Sequence, residues 1–401
     1  MRAKVVIIGH GYTSRLGIIR SLAEIGCEII VIAMVYHGRF GRFIRFDGGK
    51  PVDCCSKYVD KFFFCSANSE KDLINILLTK CADPDQKTII IPDSDFSAAV
   101  VDKYQEELKS RFLFPHINYT VGAVEKWMNK DKQKVLAKEI GIPVANGIIV
   151  HVSPEGFVIP PAVRYPCFTK PLATIKGGKR LLRRCDNEVE LRTALSEMGH
   201  FFDADVLIED FKQIDNEYAV LGVSDGHNVI IPAVIKFVVN SKSHFGIARE
   251  GVVMPIDGFE NVIAAFQQLV RKIGFCGLFD IDFYDSGGIL YFGELNLRYG
   301  GSGYAVTRVG ANLPALFVSL LSGQTKELPF MSVTKSASFV NERMCIDDWS
   351  FYYLTSKEMK RIINASDIHF VYDDKDPGPQ KKLGKYIALQ RFKRVLRKVM
   401  H

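Results

Sequence analysis

The chain has no Cys-x-x-Cys pair: its nine cysteines are scattered, with Cys54 and Cys55 adjacent. Neither a zinc site nor a disulfide framework is written into such spacing, and a reducing compartment is expected. No apolar run approaches the roughly 18 residues of a membrane span, and Leu313 to Leu321 is too short. The N-terminus opens directly into the apolar Val5 to Ile8, without the apolar region and cleavage site of a signal peptide. A cytoplasmic protein is therefore expected. A spread basic footprint is also missing. The eight Lys and Arg of residues 381–401, with no acid among them, account for the whole net charge of +7. A near-neutral body with a basic tail argues against nucleic acid as a partner.

What is present is ordinary globular composition, 47% hydrophobic over 401 residues, enough for two or three domains. Residues 4–8 read as a strand, followed by Gly9-His10-Gly11, a helix from about Ser14 to Ile25 and a strand from Glu28 to Ala33. Gly9, Gly11 and Gly17 match the dinucleotide fingerprint only loosely. The third glycine is late and no acid closes the second strand at Ala33-Met34. A tight turn explains the glycines better than NAD does. Residues 36–57 read as a long loop. A strand at Lys61 to Cys65, a helix at about Ser69 to Lys80, a strand at Thr88 to Ile91 and a helix to about Ser110 follow. This alternation predicts a parallel sheet. Ser94 or Asp95 can cap the last helix.

The stretch Gly277 to Gly303 reads as two adjacent strands joined by Asp285-Ser286-Gly287-Gly288. Glu294, Asn296 and Arg298 recur at spacing two, so they face one way, and the turn brings Asp282 alongside. Oxygen donors without His or Cys suit Mg²⁺; structural salt bridges are the alternative. Upstream, Asn129-Lys130-Asp131-Lys132 opens a helix, and Tyr165 to Leu172 reads as a strand carrying Lys170. Lys176-Gly177-Gly178-Lys179 forms a glycine loop able to cover phosphates or to serve a plain hairpin. A strand then runs into Glu209-Asp210-Phe211-Lys212, another begins at Glu217, and Asn240 to Gly251 reads as a polar loop before a helix at Glu260 to Ile273.

Taken in order, these phrases resemble the ATP-grasp superfamily, in its carboxylate–amine ligase branch, over residues 1–323. The resemblance implies an α/β fold: a Rossmann-like pre-ATP-grasp domain (1–120), a two-lobed ATP-grasp domain (121–323, small lobe 145–208, hinge 209–217) and a small C-terminal extension (324–401). It implies that Lys132 and Lys170 contact the phosphates of ATP, under a loop of Lys176, Gly177, Gly178 and Lys179. Glu209, Asp210, Phe211 and Lys212 would form the adenine-reading hinge, and Glu217 would bind the ribose. Asp282, Glu294 and Asn296 would hold Mg²⁺, or Mn²⁺. Arg298 would steady the acceptor carboxylate or its acyl phosphate. Small-molecule carboxylate and amine substrates follow, with ADP and phosphate as products, and a homodimer is a further expectation. The loop lacks the serines of some branches, and Lys212 stands where an aliphatic residue is usual. Asp280 stands where D-alanine–D-alanine ligases carry arginine. A catalytically silent ATP-binding regulator and a bicarbonate-phosphorylating enzyme are the competing classes.

Substrate selection is expected near Gly300 to Tyr304, in the loop from Ser241 to Arg249 (with His244), and near Gly9 to Ser14. In the tail, a strand from Ala337 to Met344 precedes a helix from Ser356 to Asn364, and Pro377-Gly378-Pro379 reads as a breaker. Residues 381–400 have helical spacing, with Leu383, Tyr386, Ile387, Val395 and Val399 near one face. Such a basic amphipathic helix either lies on the inner face of an anionic membrane or docks on protein.

Overall fold

The computed structural model describes residues 2–35, 49–67, 69–171, 182–200, 203–244, 246–325 and 331–399. Lys176, Gly177, Gly178 and Lys179 lie outside the described residues. The chain forms two compact units. The first comprises Met1–Lys126, Tyr218–Ile281 and Asn296–His401; the second comprises Trp127–Glu217 and Asp282–Leu295.

The first unit opens with a five-stranded parallel sheet in the order Lys61–Ser66, Glu28–Val35, Lys4–Gly9, Thr88–Pro92, Phe112–Leu113. Parallel strands are covered on both faces and so read as unbroken apolar runs; Val5, Val6, Ile7 and Ile8 are all fully buried. Val6, Ile8 and Ile30 pack against Leu73 and Leu77 on one face. Val5, Ile7 and Ile29 share the other with Ala219, Leu221, Leu278 and Phe317. After Lys4–Gly9 the chain adds Glu28–Val35 on one side and, later, Thr88–Pro92 on the other. That reversal leaves a crevice at the carboxyl ends of the two central strands.

A second sheet contains Phe275–Ser286, Asn216–Asp225, Val234–Asn240, Ala248–Met254, Ala337–Val340 and Ile368–His369, in that order. Ala248–Met254 falls where the sequence reads as loop. Its alternating burial, with Arg249, Gly251 and Val253 inward, is a strand pattern that the charges of Arg249 and Glu250 conceal. The strand expected through Met344 stops at Val340. Asn341 then caps a helix, Glu342–Ser350, by accepting from the Met344 N–H. The Ser69–Lys80 segment is an α-helix, Glu70–Ile76, continued by a π turn, Leu77–Cys81.

Pro377-Gly378-Pro379 does not break the tail but starts its helix, Pro377–Val399. Proline is tolerated in a first turn, where its missing N–H has no intrahelical partner to lose. Leu383, Tyr386 and Ile387 pack on Ile346, Trp349 and Val371 within the same unit. Tyr386 donates to Asp347 at 2.6 Å and Ser350 to Gln390 at 3.0 Å. Among the described residues no helix is long and apolar enough to cross a membrane.

The second unit is a four-stranded antiparallel sheet in the order Gly147–Val152, Ala204–Asp210, Cys167–Pro171, Arg183–Cys185. The amphipathic helix Glu188–Gly199 covers one face with Leu191, Ala194, Leu195 and Met198. The unit also holds the helix Lys130–Glu139 and the strand segments around Asp282 and Glu294.

Candidate active site

Polar side chains gather separately in each unit. In the second, Asn129 caps the helix Lys130–Glu139 by accepting from the Lys132 N–H at 3.0 Å. Lys130 and Lys134 stand four apart, on one helical face. Lys130 forms an ion pair with Glu294. Lys134 and Lys170 both pair with Glu209, whose side chain is almost wholly buried. The register explains the last contact: Lys170 lies opposite Leu207, and Phe168 opposite Glu209, on adjacent antiparallel strands, so Lys170 and Glu209 share a face. Burial, with repulsion from Lys170 and Lys130, lowers the Lys134 ammonium to about 7. Burial and Lys130 lower Lys170 to about 8. These ammonium groups are crowded and short of water, so an added polyphosphate would relieve them.

Gln133 holds this arrangement in place. Its amide donates to the Leu295 carbonyl at 2.7 Å and accepts the Leu295 N–H at 2.9 Å, tying the lysine helix to the strand that carries Glu294. Asp282 and Glu294 are half-buried. Their strands run so close that a Cβ on Gly293 would stand 2.8 Å from the Asp282 carbonyl oxygen. Leu295 and Leu297 are buried while Glu294 and Asn296 are not, as period two requires. Arg298 departs from expectation, because the strand ends at Asn296. Among the described residues no three His, Cys, Asp or Glu side chains gather as a metal set. The candidate donors are two carboxylates and one amide oxygen, few hard ligands of the kind Mg²⁺ accepts when phosphates complete its shell.

Lys132 does not join the cluster. It is exposed, two residues from Lys130 and Lys134 and hence on a different helical face. The residues that sequence reading missed are Lys130, Lys134 and Gln133; the i, i+4 lysine spacing was the available signal. At the hinge, the Glu209 carboxylate is held by lysines. The Asp210 and Phe211 N–H groups donate to the Asn146 and Pro166 carbonyls, both at 2.9 Å. The Phe211 ring lies 4.4 Å from the Arg184 guanidinium, and Lys212 caps Tyr291 at 5.3 Å. Glu217 is half-buried in Asn216–Asp225. A pocket of about 310 Å³ adjoins the hinge, between Asn146, Cys167, Ile208 and Asp210.

In the first unit Arg298 donates from Nε to Asp95 at 2.8 Å and from Nη2 to Asn296 at 3.3 Å. Ser94, not Asp95, caps the following helix. Beneath Asp95, Asp93 is 8% exposed, and neither of its oxygens has a hydrogen-bond partner among the described residues. The His10 backbone N–H faces this carboxyl and favours its charged form. Burial raises the Asp93 carboxyl to about 7 against the pull of Arg15. His244 donates from Nε2 to Asp347 at 2.8 Å, and Arg249 is buried and donates to Asp348 at 2.9 Å, so neither is a loose loop charge.

No family model matches the chain. It is 26% identical over 247 residues to the carbamoyl phosphate synthase large chain of Methanothrix thermoacetophila, covering 57% of this chain and 22% of that one. It is 23% identical over 277 residues to the D-aspartate ligase of Enterococcus faecium, covering 65% and 64%. The chain therefore spans less than two thirds of these relatives' lengths. Its fold superposes on N5-carboxyaminoimidazole synthetase from Staphylococcus aureus, crystallised with ADP, at TM-score 0.60 (18% identity, 84% of this chain and 82% of that one). The likeness shows the fold, which is that of these ATP-grasp enzymes. An L-amino acid ligase from Bacillus licheniformis shares the fold at TM-score 0.61, with 15% identity over 84% of this chain and 80% of that one.

Proposed function

We propose that the chain is an ATP-dependent carboxylate–amine ligase that activates a carboxylate as its acyl phosphate and releases ADP and phosphate. The observation that carries this reading is the second unit's alternation of Lys130, Lys134 and Lys170 with Glu294 and Glu209 in an ion-paired cluster. Similarity to a D-aspartate ligase and to an L-amino acid ligase supports the ligase class. The matched synthetase complexed with ADP supports the nucleotide.

A carboxylate is a poor electrophile, and making it reactive is a problem of positioning and charge neutralisation. Lys130, Lys134 and Lys170 hold the phosphates. Lys132 is set aside because it faces solvent. Lys176 and Lys179, with Gly177 and Gly178, would cover them. Glu217 binds the ribose, and the segment Glu209–Lys212 borders the base. Because the Asp210 and Phe211 N–H groups are already bonded within the protein, the base is read through carbonyls and the Lys212 N–H. Asp282, Glu294 and Asn296 would hold Mg²⁺; such all-oxygen donors also admit Mn²⁺. When bound, the metal neutralises charge on the transferred phosphoryl group. Arg298, steadied by Asp95, offers a planar fork to the acceptor carboxylate.

Nine free thiols fit a cytoplasmic protein. A homodimer is open to test by sedimentation. Contact of the tail with an anionic membrane would have to use Lys381, Lys385, Arg391, Lys393 and Phe392, since Leu383 and its neighbours face the protein. Co-sedimentation with anionic vesicles, with and without residues 381–401, tests it, and equal binding rejects it. The ligase reading itself is tested by Glu294→Gln. ATP turnover should fall by at least about a hundredfold, as when a group acting on transition-state charge is lost, with circular dichroism unchanged. Normal turnover would overturn the metal assignment.

A further inference from the structure

The first unit carries an acidic crevice that nothing in ATP binding uses. It lies at the carboxyl ends of Lys4–Gly9 and Thr88–Pro92, the reversal point of the sheet, where open α/β sheets take their ligands. We propose that this crevice binds the ammonium group of the amine substrate, with Asp93 and Asp95 as its anionic partners and the Ser14 hydroxyl as a further acceptor. The inference rests on the carboxylate–amine ligase reading given above.

Four observations carry it. The first is the state of Asp93. A buried carboxylate normally has its partner built in. Asp53 illustrates this: fully buried, it accepts from Arg15 Nε at 2.7 Å. Arg15 also donates to the Gly9 carbonyl, so it is committed elsewhere, and Asp93 keeps two oxygens without a hydrogen bond among the described residues. The Ser14 hydroxyl is buried in the same condition.

The second is that the backbone makes room for this carboxylate. A Cβ on Gly9 would stand 1.2 Å from Asp93 Oδ1, so any other residue there would drive the carboxylate out. The glycine turn thus serves an acid. An acid at that turn repels a pyrophosphate, which disposes of the dinucleotide alternative and selects a cation instead.

The third is location. Asp95 holds Arg298, the residue assigned to the carboxylate that is activated. A nucleophile must reach bonding distance of the acyl group that Arg298 steadies, and the side chains flanking that guanidinium on the sheet edge are acidic. The fourth is access. Gly11 is exposed, and His10, Ser14, Ser94 and Asp95, on the two turns that flank Asp93, are only half-buried.

The test uses the full chain and its Asp93→Asn and Asp95→Asn variants, with ATP, Mg²⁺ and a panel of amino-acid carboxylates. Each is offered either hydroxylamine, which is neutral at pH 7.5 and needs no ammonium site, or a primary amine that is charged there (methylamine through lysine). For Asp93→Asn, which leaves the Arg298 pair intact, the ratio of hydroxamate to amide should shift at least tenfold toward hydroxamate, with the amine KM raised; Asp95→Asn, which also releases Arg298, should shift the ratio the same way while slowing both products. Parallel loss of both products, or an unchanged ratio, would overturn the proposal. Calorimetric titration of the same amines into each protein supplies a second readout. Binding by the wild type that Asp93→Asn weakens at least tenfold supports the site; equal binding, or none by the wild type, rejects it. A wild type that forms no hydroxamate from any acid sinks the ligase reading, and the titration then still decides the ammonium site.

Discussion

Replacing Asp93 by asparagine should stabilise the unliganded protein, by an amount that depends on pH. Burial raises the Asp93 carboxyl from 3.8 to about 7. A native carboxylic acid that holds its proton more tightly than the unfolded one loses stability as pH rises between those two values. The deficit is absent below about pH 4, grows through the window and is constant above about pH 7. At about 1.4 kcal/mol per unit, the ceiling is about 4 kcal/mol. Asparagine has nearly the shape of the protonated acid and no charge to bury. The variant should therefore match wild type at pH 4 and exceed it at pH 8 by at least about 1.5 kcal/mol, given partial relaxation around the charge. For a unit of this size that is a rise of at least about 2 °C in Tm. Differential scanning calorimetry at pH 4, 5, 6, 7 and 8 reads it directly. A gain that does not grow between pH 5 and pH 8, or a loss at pH 8, would refute the reasoning. It would mean that Asp93 is held by partners that stabilise its charge. A stability gain joined to poorer amine use is the pattern of a functional group kept at a cost to the fold.

Two further outcomes are expected. Gln133→Leu should leave the Leu295 N–H and carbonyl without their partners in a buried place, lowering stability by about 2–4 kcal/mol and raising the KM for ATP; an unchanged KM would show that the tie does not position Lys130. Leu383→Ala, at a fully buried site between the tail helix and Trp349, should cost about 2–5 kcal/mol, read by urea unfolding. A neutral result would show that the tail is not docked in solution.

The sequence made some of this legible and hid the rest for physical reasons. The parallel sheet was plain, because strands buried on both faces must be apolar throughout, as Val5 to Ile8 are. The period-two face of Glu294 and Asn296 was plain too, since alternation is a local property of a strand. Ala248–Met254 was not. Arg249 and Glu250 read as loop charges until Asp348, about a hundred residues on, proved to be the partner that lets Arg249 be buried. The helix start at Pro377 was hidden because proline ends a helix from within but suits its first turn. The short phrase Asp131-Lys132 points to Lys132, whereas Glu209 and Glu294, far along the chain, pair with Lys134 and Lys130. Asp93 carried no signal at all. Its isolation is a property of the packed crevice and of Gly9, not of its neighbours in sequence.

The central claim is tested most directly by incubating the protein with ATP, Mg²⁺ and a matrix of amino-acid carboxylates and amines, then measuring nucleotide products and the masses of everything formed. The account predicts ADP and inorganic phosphate in equal amounts with an amide whose mass is that of acid plus amine less one water. AMP and pyrophosphate, or a condensation product formed without ADP, would contradict it.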